Sequence, residues 1–220
     1  MLTRQKDPYP KPYALLNGTR SDAWKERSLG MNTVTRKSTL LLDMDDVTVD
    51  QTRTWIRRIY EKTGFQYQWE DFYRWDLSSI FPDKITKMIF EEINREPGFF
   101  RFLPAKEGAA EGIKKLSYKY DIVFVTASEP YAYEDKYLWV KENLPFLDKP
   151  SLVLTHRKDL IMGDIFVDDG PHNLVKSIAK TKIIFDHPWN RQVTQGQRVA
   201  HWDELVDLLL TQKQSVKSVG

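Results

Sequence analysis

Short apolar runs alternate with amphipathic segments along most of this chain. The apolar-rich runs predict strands at 39–42, 121–125, 152–154, 165–167 and 182–185. Apolar residues spaced three or four positions apart predict helices at 50–62, 83–94, 107–119, 133–144 and 202–210. Short strands that alternate with helices are typical of a parallel sheet covered by helices on both faces. The pattern therefore predicts an α/β protein with a Rossmann-like parallel sheet.

One stretch, 65–104, departs from this alternation because it is rich in aromatic residues. It contains the runs FQYQWEDFYRWDL and EPGFFRFLP on either side of a predicted helix. Its place between the first strand and the others predicts a small helical cap inserted after that strand. The predicted division is an irregular N-terminal extension at 1–37, a core at 38–47 and 105–212, a cap at 48–104 and a C-terminal tail at 213–220.

Composition narrows the class of protein. The chain has 220 residues, and 41% are hydrophobic, but no run approaches the roughly 18 apolar residues of a membrane span. It contains no cysteine, which excludes disulfides and cysteine catalysis and is compatible with a reducing cytoplasm. The 33 basic and 31 acidic residues nearly balance, which argues against a nucleic-acid polymer as partner. We expect a cytoplasmic protein that binds neither membranes nor nucleic acid.

Polar side chains follow the predicted strands where parallel sheets bind their ligands, at the carboxyl ends. Asp43-Met44-Asp45 follows the first strand and Thr126-Ala127-Ser128 follows the second. Lys158 comes shortly after the third strand, and Asp168-Asp169 follows the fourth. The sequence therefore predicts that acids, a hydroxyl and a cation converge on one rim of the sheet.

The acids after the first strand suggest a chemistry. Asp43, Asp45 and Asp46 lie within four positions, and carboxylates this close repel one another. A bound cation offsets that repulsion, and Mg²⁺ prefers a few carboxylates together with phosphate oxygens. One aspartate of such a pair can attack phosphorus, and the other can protonate the leaving oxygen. An aspartate pair alone also occurs in glycosyltransferases and in surface turns. The inference therefore depends on all four groups of polar residues, in the order in which they follow the strands.

These elements resemble a known superfamily. The order DMDDV, VTAS, a lysine with DLIMGD, and VDDGP is similar to the haloacid dehalogenase superfamily of aspartate-nucleophile phosphohydrolases. The segments EPGFFRFLPAKEGAAEGIKKL, DIVFVTASEPYAYEDKYLWVKENL and LTHRKDLIMGDIFVDDGPHNL resemble its 5′(3′)-deoxyribonucleotidase branch. The resemblance extends over residues 40–210. It implies a Mg²⁺-dependent phosphatase that acts on deoxyribonucleoside monophosphates.

The resemblance also implies catalytic and metal-binding residues. Asp43 would be the nucleophile and Asp45 the general acid and base. Asp43, the Asp45 backbone carbonyl and Asp169 would bind Mg²⁺, with Asp168 in support. Asp46 stands where many relatives carry glycine.

Phosphate and base contacts follow from the same resemblance. The phosphate site corresponds to Thr126, Ala127 and Lys158, with Ala127 in place of a serine found in some members. Pro130 stands where some members have a phosphate-binding lysine. Aromatic residues of the cap pack on the nucleobase in this branch, so the base-binding candidates are Phe72, Tyr73 and Trp75.

The prediction is a Mg²⁺-dependent phosphomonoesterase with a small nucleotide as substrate. The alternatives are a phosphatase of the same superfamily with another small phosphoester and a nucleotide-binding protein without turnover. The sequence leaves open the base preference, the 5′ or 3′ preference, the role of residues 1–37 and the oligomeric state, a homodimer included.

Overall fold

The computed structural model describes residues 36–211. The predicted C-terminal tail and nearly all of the predicted N-terminal extension lie outside the described residues. Contacts divide the chain between Arg36 and Lys37, and every described helix and strand lies in Lys37–Gly220. Within the described range, no helix combines the length and the apolar character that crossing a membrane requires.

Six parallel strands form one sheet in the order β3-β2-β1-β4-β5-β6. They are β1 Ser38–Leu42, β2 Tyr120–Thr126, β3 Ser151–Leu154, β4 Ile165–Asp168, β5 Thr181–Phe185 and β6 Gln197–Val199. The first five confirm the predicted strands and the Rossmann-like fold class. The edge strand β6 was not predicted, because only Val199 in it is both apolar and buried.

The position of β1 in the sheet determines where the active site can form. Leu40 pairs with Ile122 of β2 on one side and with Ile165 of β4 on the other. After β1, the chain adds β2 on one side of this strand and later adds β4 on its other side. Ligands of open α/β sheets bind where the strand order reverses in this way. The carboxyl ends of β1, β2 and β4 lie next to one another as a result.

The helices are α1 Gln51–Thr63, α2 Asp83–Lys87, α3 Ala109–Ser117, α4 Tyr133–Asn143, α5 Pro171–Lys176 and α6 Trp202–Thr211. The five predicted helices are confirmed, and α5 is additional. Beyond α2 the chain continues as a π-helix over Met88–Glu92 and a 3-10 turn over Ile93–Arg95. Asn94, in the 3-10 turn, accepts a hydrogen bond on its Oδ1 from Trp55 Nε1 at 2.8 Å.

The stretch between β1 and α3 carries α1 and α2 and shares one hydrophobic core with the sheet. Leu40 and Leu42 of β1 belong to the same buried cluster as Ile59, Phe72 and Ile89. This helical insert follows the first strand, as the fold class predicted. Its exact division from the core at 38–47 and 105–212 remains a prediction.

Candidate active site

The loop after β1 holds Asp43 rigidly at the carboxyl end of the sheet. The Asp43 amide donates to the Val167 carbonyl at 3.0 Å, which ties the loop to β4. Its carboxylate Oδ1 accepts from the Met44 amide at 2.7 Å. Thr48 Oγ1 donates to the Asp43 carbonyl at 2.7 Å, closing the loop on itself. These bonds present a buried carboxylate in one orientation.

Asp46, in the same loop, has a left-handed backbone with φ of 56°. Asparagine, aspartate and glycine tolerate this conformation best. The Asp46 carboxylate accepts from the Thr52 amide at 3.0 Å and from Thr52 Oγ1 at 2.6 Å. Burial raises the pKa of Asp46 to about 6, although Lys106 opposes the shift. Asp46 therefore connects the loop to the first turn of α1.

Lys158 lies between two carboxylates beneath this loop. Its Nζ is 2.6 Å from Asp43 Oδ2 and 2.7 Å from Asp168 Oδ2, and all three side chains are buried. Burial lowers the Lys158 pKa, but Asp168 and Asp43 more than offset this, so the pKa is raised above its ordinary value. Burial raises the pKa of Asp43 to about 6, with Lys158 opposing. Lys158 therefore remains charged at neutral pH.

Asp43, Asp168 and Asp169 can each place one carboxylate oxygen within 4.8 Å of the others. Both oxygens of Asp168 are already engaged, Oδ2 by Lys158 and Oδ1 by the Gly170 amide and Asn173 Nδ2. Asp169 Oδ1 is buried and has no hydrogen-bond partner among the described residues. Burial, with Asp43 and Asp168 nearby, raises the Asp169 pKa well above its ordinary value.

This arrangement fits a hard divalent cation. Three buried carboxylates face one buried ammonium, so the site carries excess negative charge that is costly to bury. The unpaired Asp169 Oδ1 is the type of ligand that Mg²⁺ binds. The engaged oxygens of Asp168 suit a supporting residue better than a direct ligand.

Lys136 completes the site from α4 and was missed by the sequence prediction. Its Nζ is 2.5 Å from Asp45 Oδ2 and 2.7 Å from Thr126 Oγ1. Asp45 Oδ1 is buried without a partner among the described residues. Burial raises the pKa of Asp45, with Lys136 opposing the shift. A lysine ammonium from α4 thus lies within hydrogen-bonding distance of Thr126.

A cavity of about 480 Å³ opens above the acids. This volume is in the range of small-ligand sites. At its active-site end the cavity is lined by Asp43, Asp45, Asp46, Asp169 and Lys158, with Ala127 and Ser128 also in the lining. Aromatic side chains form much of the remaining wall, namely Trp55, Phe72, Trp75, Phe90, Phe100, Tyr131 and Trp189.

Comparison with known proteins identifies the family. The family model described as 5′ nucleotidase, deoxy (Pyrimidine), cytosolic type C protein matches residues 37–215. The chain belongs to this nucleotidase family. A 5′(3′)-deoxyribonucleotidase of Clostridium acetobutylicum is 31% identical over 168 residues, which cover 76% of this chain and 92% of the relative. One from Bacillus subtilis strain 168 is 31% identical over 176 residues, 79% of this chain and 99% of the relative.

Solved structures show the same fold at low sequence identity. The haloacid dehalogenase-like hydrolase SP0104 of Streptococcus pneumoniae has a TM-score of 0.55 and 11% identity, covering 79% of this chain and 98% of that one. A HAD family hydrolase of Deinococcus radiodurans R1 has a TM-score of 0.52 and 16% identity, covering 79% and 95%. The nucleotidase family makes the protein a phosphatase, as the resemblance predicted, and its fold is that of haloacid dehalogenase-like hydrolases.

In this nucleotidase-family chain, the predicted polar site residues lie together. Asp43, Lys158, Asp168 and Asp169 form one connected cluster, with Asp45 and Thr126 beside it. Their individual roles remain predictions.

The three predicted base contacts are placed differently. Phe72 is only 1% exposed and is one of the residues that line the cavity. Trp75 is 47% exposed, also lines the cavity and packs edge-on against His172 with ring centroids 4.9 Å apart. Tyr73 is 54% exposed and is absent from the cavity lining. Trp75 is therefore the predicted residue best placed to meet a base.

Proposed function

We propose that this protein is a Mg²⁺-dependent phosphomonoesterase that removes phosphate from deoxyribonucleoside monophosphates through an aspartyl-phosphate. The observation that carries the proposal is the buried cluster of Asp43, Lys158, Asp168 and Asp169, which faces an aromatic-lined cavity through all its members except Asp168. The relatives named 5′(3′)-deoxyribonucleotidase support the substrate class. The word cytosolic in the family's name supports a cytoplasmic location. A homodimer remains a prediction.

The first chemical step transfers the phosphoryl group to Asp43. A carboxylate oxygen of Asp43 forms a bond to phosphorus while the bond from phosphorus to the ester oxygen breaks. Asp45 donates a proton to that oxygen, so the nucleoside leaves as a neutral alcohol. The raised pKa of Asp45 favours the protonated form needed here, and its unpaired Oδ1 is an available place for the proton.

The second step regenerates the enzyme. Asp45, now deprotonated, takes a proton from water as the water oxygen attacks phosphorus. The bond between Asp43 and phosphorus breaks, which frees the carboxylate and inorganic phosphate. Lys136 stays close to Asp45 Oδ2 in both steps and stabilises its charged form.

Charge on the phosphoryl group is balanced from several directions. Its oxygens would contact Lys158, Lys136, Thr126 and the backbone at Ala127. Asp43, the Asp45 carbonyl and Asp169 would hold Mg²⁺, with Asp168 supporting them through Lys158. Bound Mg²⁺ supplies positive charge that stabilises the transferring phosphoryl group.

Removal of metal tests the cofactor. We expect EDTA to stop phosphate release from a panel of nucleoside monophosphates and added Mg²⁺ to restore it. Ca²⁺ should substitute poorly, because it prefers more ligands and a looser geometry than Mg²⁺. Full activity in protein shown by elemental analysis to be metal-free would refute the proposed dependence.

A pair of neighbouring aromatic variants tests the substrate. Trp75→Ala should raise KM for a deoxyribonucleoside monophosphate by about tenfold to a hundredfold, because stacking a base is worth roughly 1–3 kcal/mol. It should leave p-nitrophenyl phosphate largely unaffected, since that ester has no base. Tyr73→Ala is the matched control, because Tyr73 lies two residues away and outside the cavity lining. Equal losses on both esters for Trp75→Ala would remove base stacking as the source of specificity.

A further inference from the structure

A short segment after β5, His187–Asn190, contacts two loops of the active site, and the proposed reaction uses none of its side chains. The segment forms a 3-10 turn over Pro188–Asn190. His187 Nε2 is 2.7 Å from the Asp46 carbonyl in the loop after β1. Trp189 and Asn190 both bind Asp169, in the loop after β4. One turn therefore links the nucleophile loop to the acidic loop.

Trp189 engages one oxygen of the Asp169 carboxylate and leaves the other free. Its indole Nε1 donates to Asp169 Oδ2 at 2.9 Å. Asp169 Oδ1 remains buried and unpaired among the described residues, in a carboxylate that can place one oxygen within 4.8 Å of oxygens of Asp43 and Asp168. Because Oδ2 is held, rotation of the carboxylate is restricted, and the unpaired Oδ1 is kept in one orientation.

The indole is itself held in place. Its ring stacks on the His187 ring, with centroids 4.5 Å apart and planes at 26°. On the next residue, Asn190 Nδ2 donates to the Asp169 carbonyl at 2.9 Å and to the Phe185 carbonyl at 2.7 Å. Arg198 Nη1 donates to Asn190 Oδ1 at 2.8 Å. A rigid turn thus supports the hydrogen bond from Trp189 to Asp169.

We propose that Trp189 is a positioning residue for the cation site, holding the Asp169 carboxylate ready to bind a divalent metal ion. The inference rests on the proposed function, in which Asp169 binds Mg²⁺. Residues that hydrogen-bond to a metal ligand fix its orientation, and their loss typically costs about tenfold to a hundredfold in metal affinity or activity. Trp189 acts through Asp169 rather than on the phosphoryl group.

Trp189→Phe tests this role, because phenylalanine keeps an aromatic ring against His187 and loses the N–H donor. We expect the Kd for Mg²⁺, measured by titration calorimetry without substrate, to rise about tenfold to a hundredfold. Saturating Mg²⁺ should restore most of kcat. Trp139→Phe is the control, because it also removes an indole N–H donor, from a fully buried tryptophan whose Nε1 donates to the Leu103 carbonyl at 2.7 Å. Its Kd for Mg²⁺ should match the wild type.

Trp189→His provides an independent comparison, since an imidazole N–H can occupy nearly the same position as the indole N–H. At pH 8 we expect this variant to bind Mg²⁺ as the wild type does. An unchanged Kd for Mg²⁺ in folded Trp189→Phe would overturn the inference. A tenfold higher Kd in folded Trp189→His would also overturn it. If Trp189→Phe does not fold, the result for Trp189→His decides. Absence of Mg²⁺ binding by the wild type would instead contradict the cofactor in the proposed function.

Discussion

Asp43→Asn should lose nearly all phosphatase activity, by roughly 10³-fold or more, while the protein stays folded. The asparagine amide has nearly the same shape as the carboxylate, but it cannot attack phosphorus. Its Oδ1 can still accept the Met44 amide, and Lys158 keeps Asp168 as a partner. Burial already disfavours the charged form of Asp43, so loss of the charge should not unfold the protein.

Phosphate release from a deoxyribonucleoside monophosphate, measured beside circular dichroism, decides this prediction. Asp46→Asn is the matched control, because it makes the same change three residues along the loop. Asparagine tolerates the left-handed backbone at that position and can accept the Thr52 amide. We expect Asp46→Asn to keep most of the activity. A folded Asp43→Asn protein with a rate near that of the wild type would contradict the aspartyl-phosphate mechanism.

The second large effect is expected at Asp45, where Asp45→Asn should lower turnover of the nucleotide by about 10²–10⁴-fold. Asparagine cannot donate the proton that the leaving alcohol requires. Lys136 and Thr126 still surround the new amide, so phosphate binding should change much less than turnover.

The leaving group separates the acid role from a general disturbance of the site. A p-nitrophenolate group leaves without protonation, so Asp45→Asn should slow p-nitrophenyl phosphate hydrolysis less than nucleotide hydrolysis. This comparison requires that phosphoryl transfer to Asp43 limits the rate for both esters, which a burst experiment can establish. Equal losses on both esters under that condition would remove Asp45 from the role of general acid.

Much of the reacting centre could be predicted from the sequence, because its residues directly follow the carboxyl ends of predicted strands. Apolar runs predicted β1, β2 and β4, and each run ends directly at Asp43, Thr126 or Asp168-Asp169. In a parallel sheet the carboxyl ends of neighbouring strands meet at one edge, so the convergence of these residues follows from local pattern. Lys158 was predicted together with them because it is part of the family's motif order.

Other parts of the site depend on contacts between residues far apart in the chain. In the sequence, nothing distinguishes Lys136 from other lysines of a predicted helix. Only the packing of α4 places its ammonium beside Asp45, which lies 91 positions earlier in the chain. Trp189 meets Asp169 only because β5 pairs with β4. No local sequence pattern predicts the contact between Lys136 and Asp45 or the one between Trp189 and Asp169.

The sequence by itself determined the fold class, the parallel strands that carry the acids, and the identity of the acidic and phosphate-binding candidates. Tertiary structure alone decided which side chains face the cavity. Phe72, Tyr73 and Trp75 lie within four positions of an irregular stretch without helical or strand periodicity, so their directions follow from packing against the rest of the protein. That packing buries Phe72 and turns Trp75 to the cavity, while Tyr73 remains outside the cavity lining.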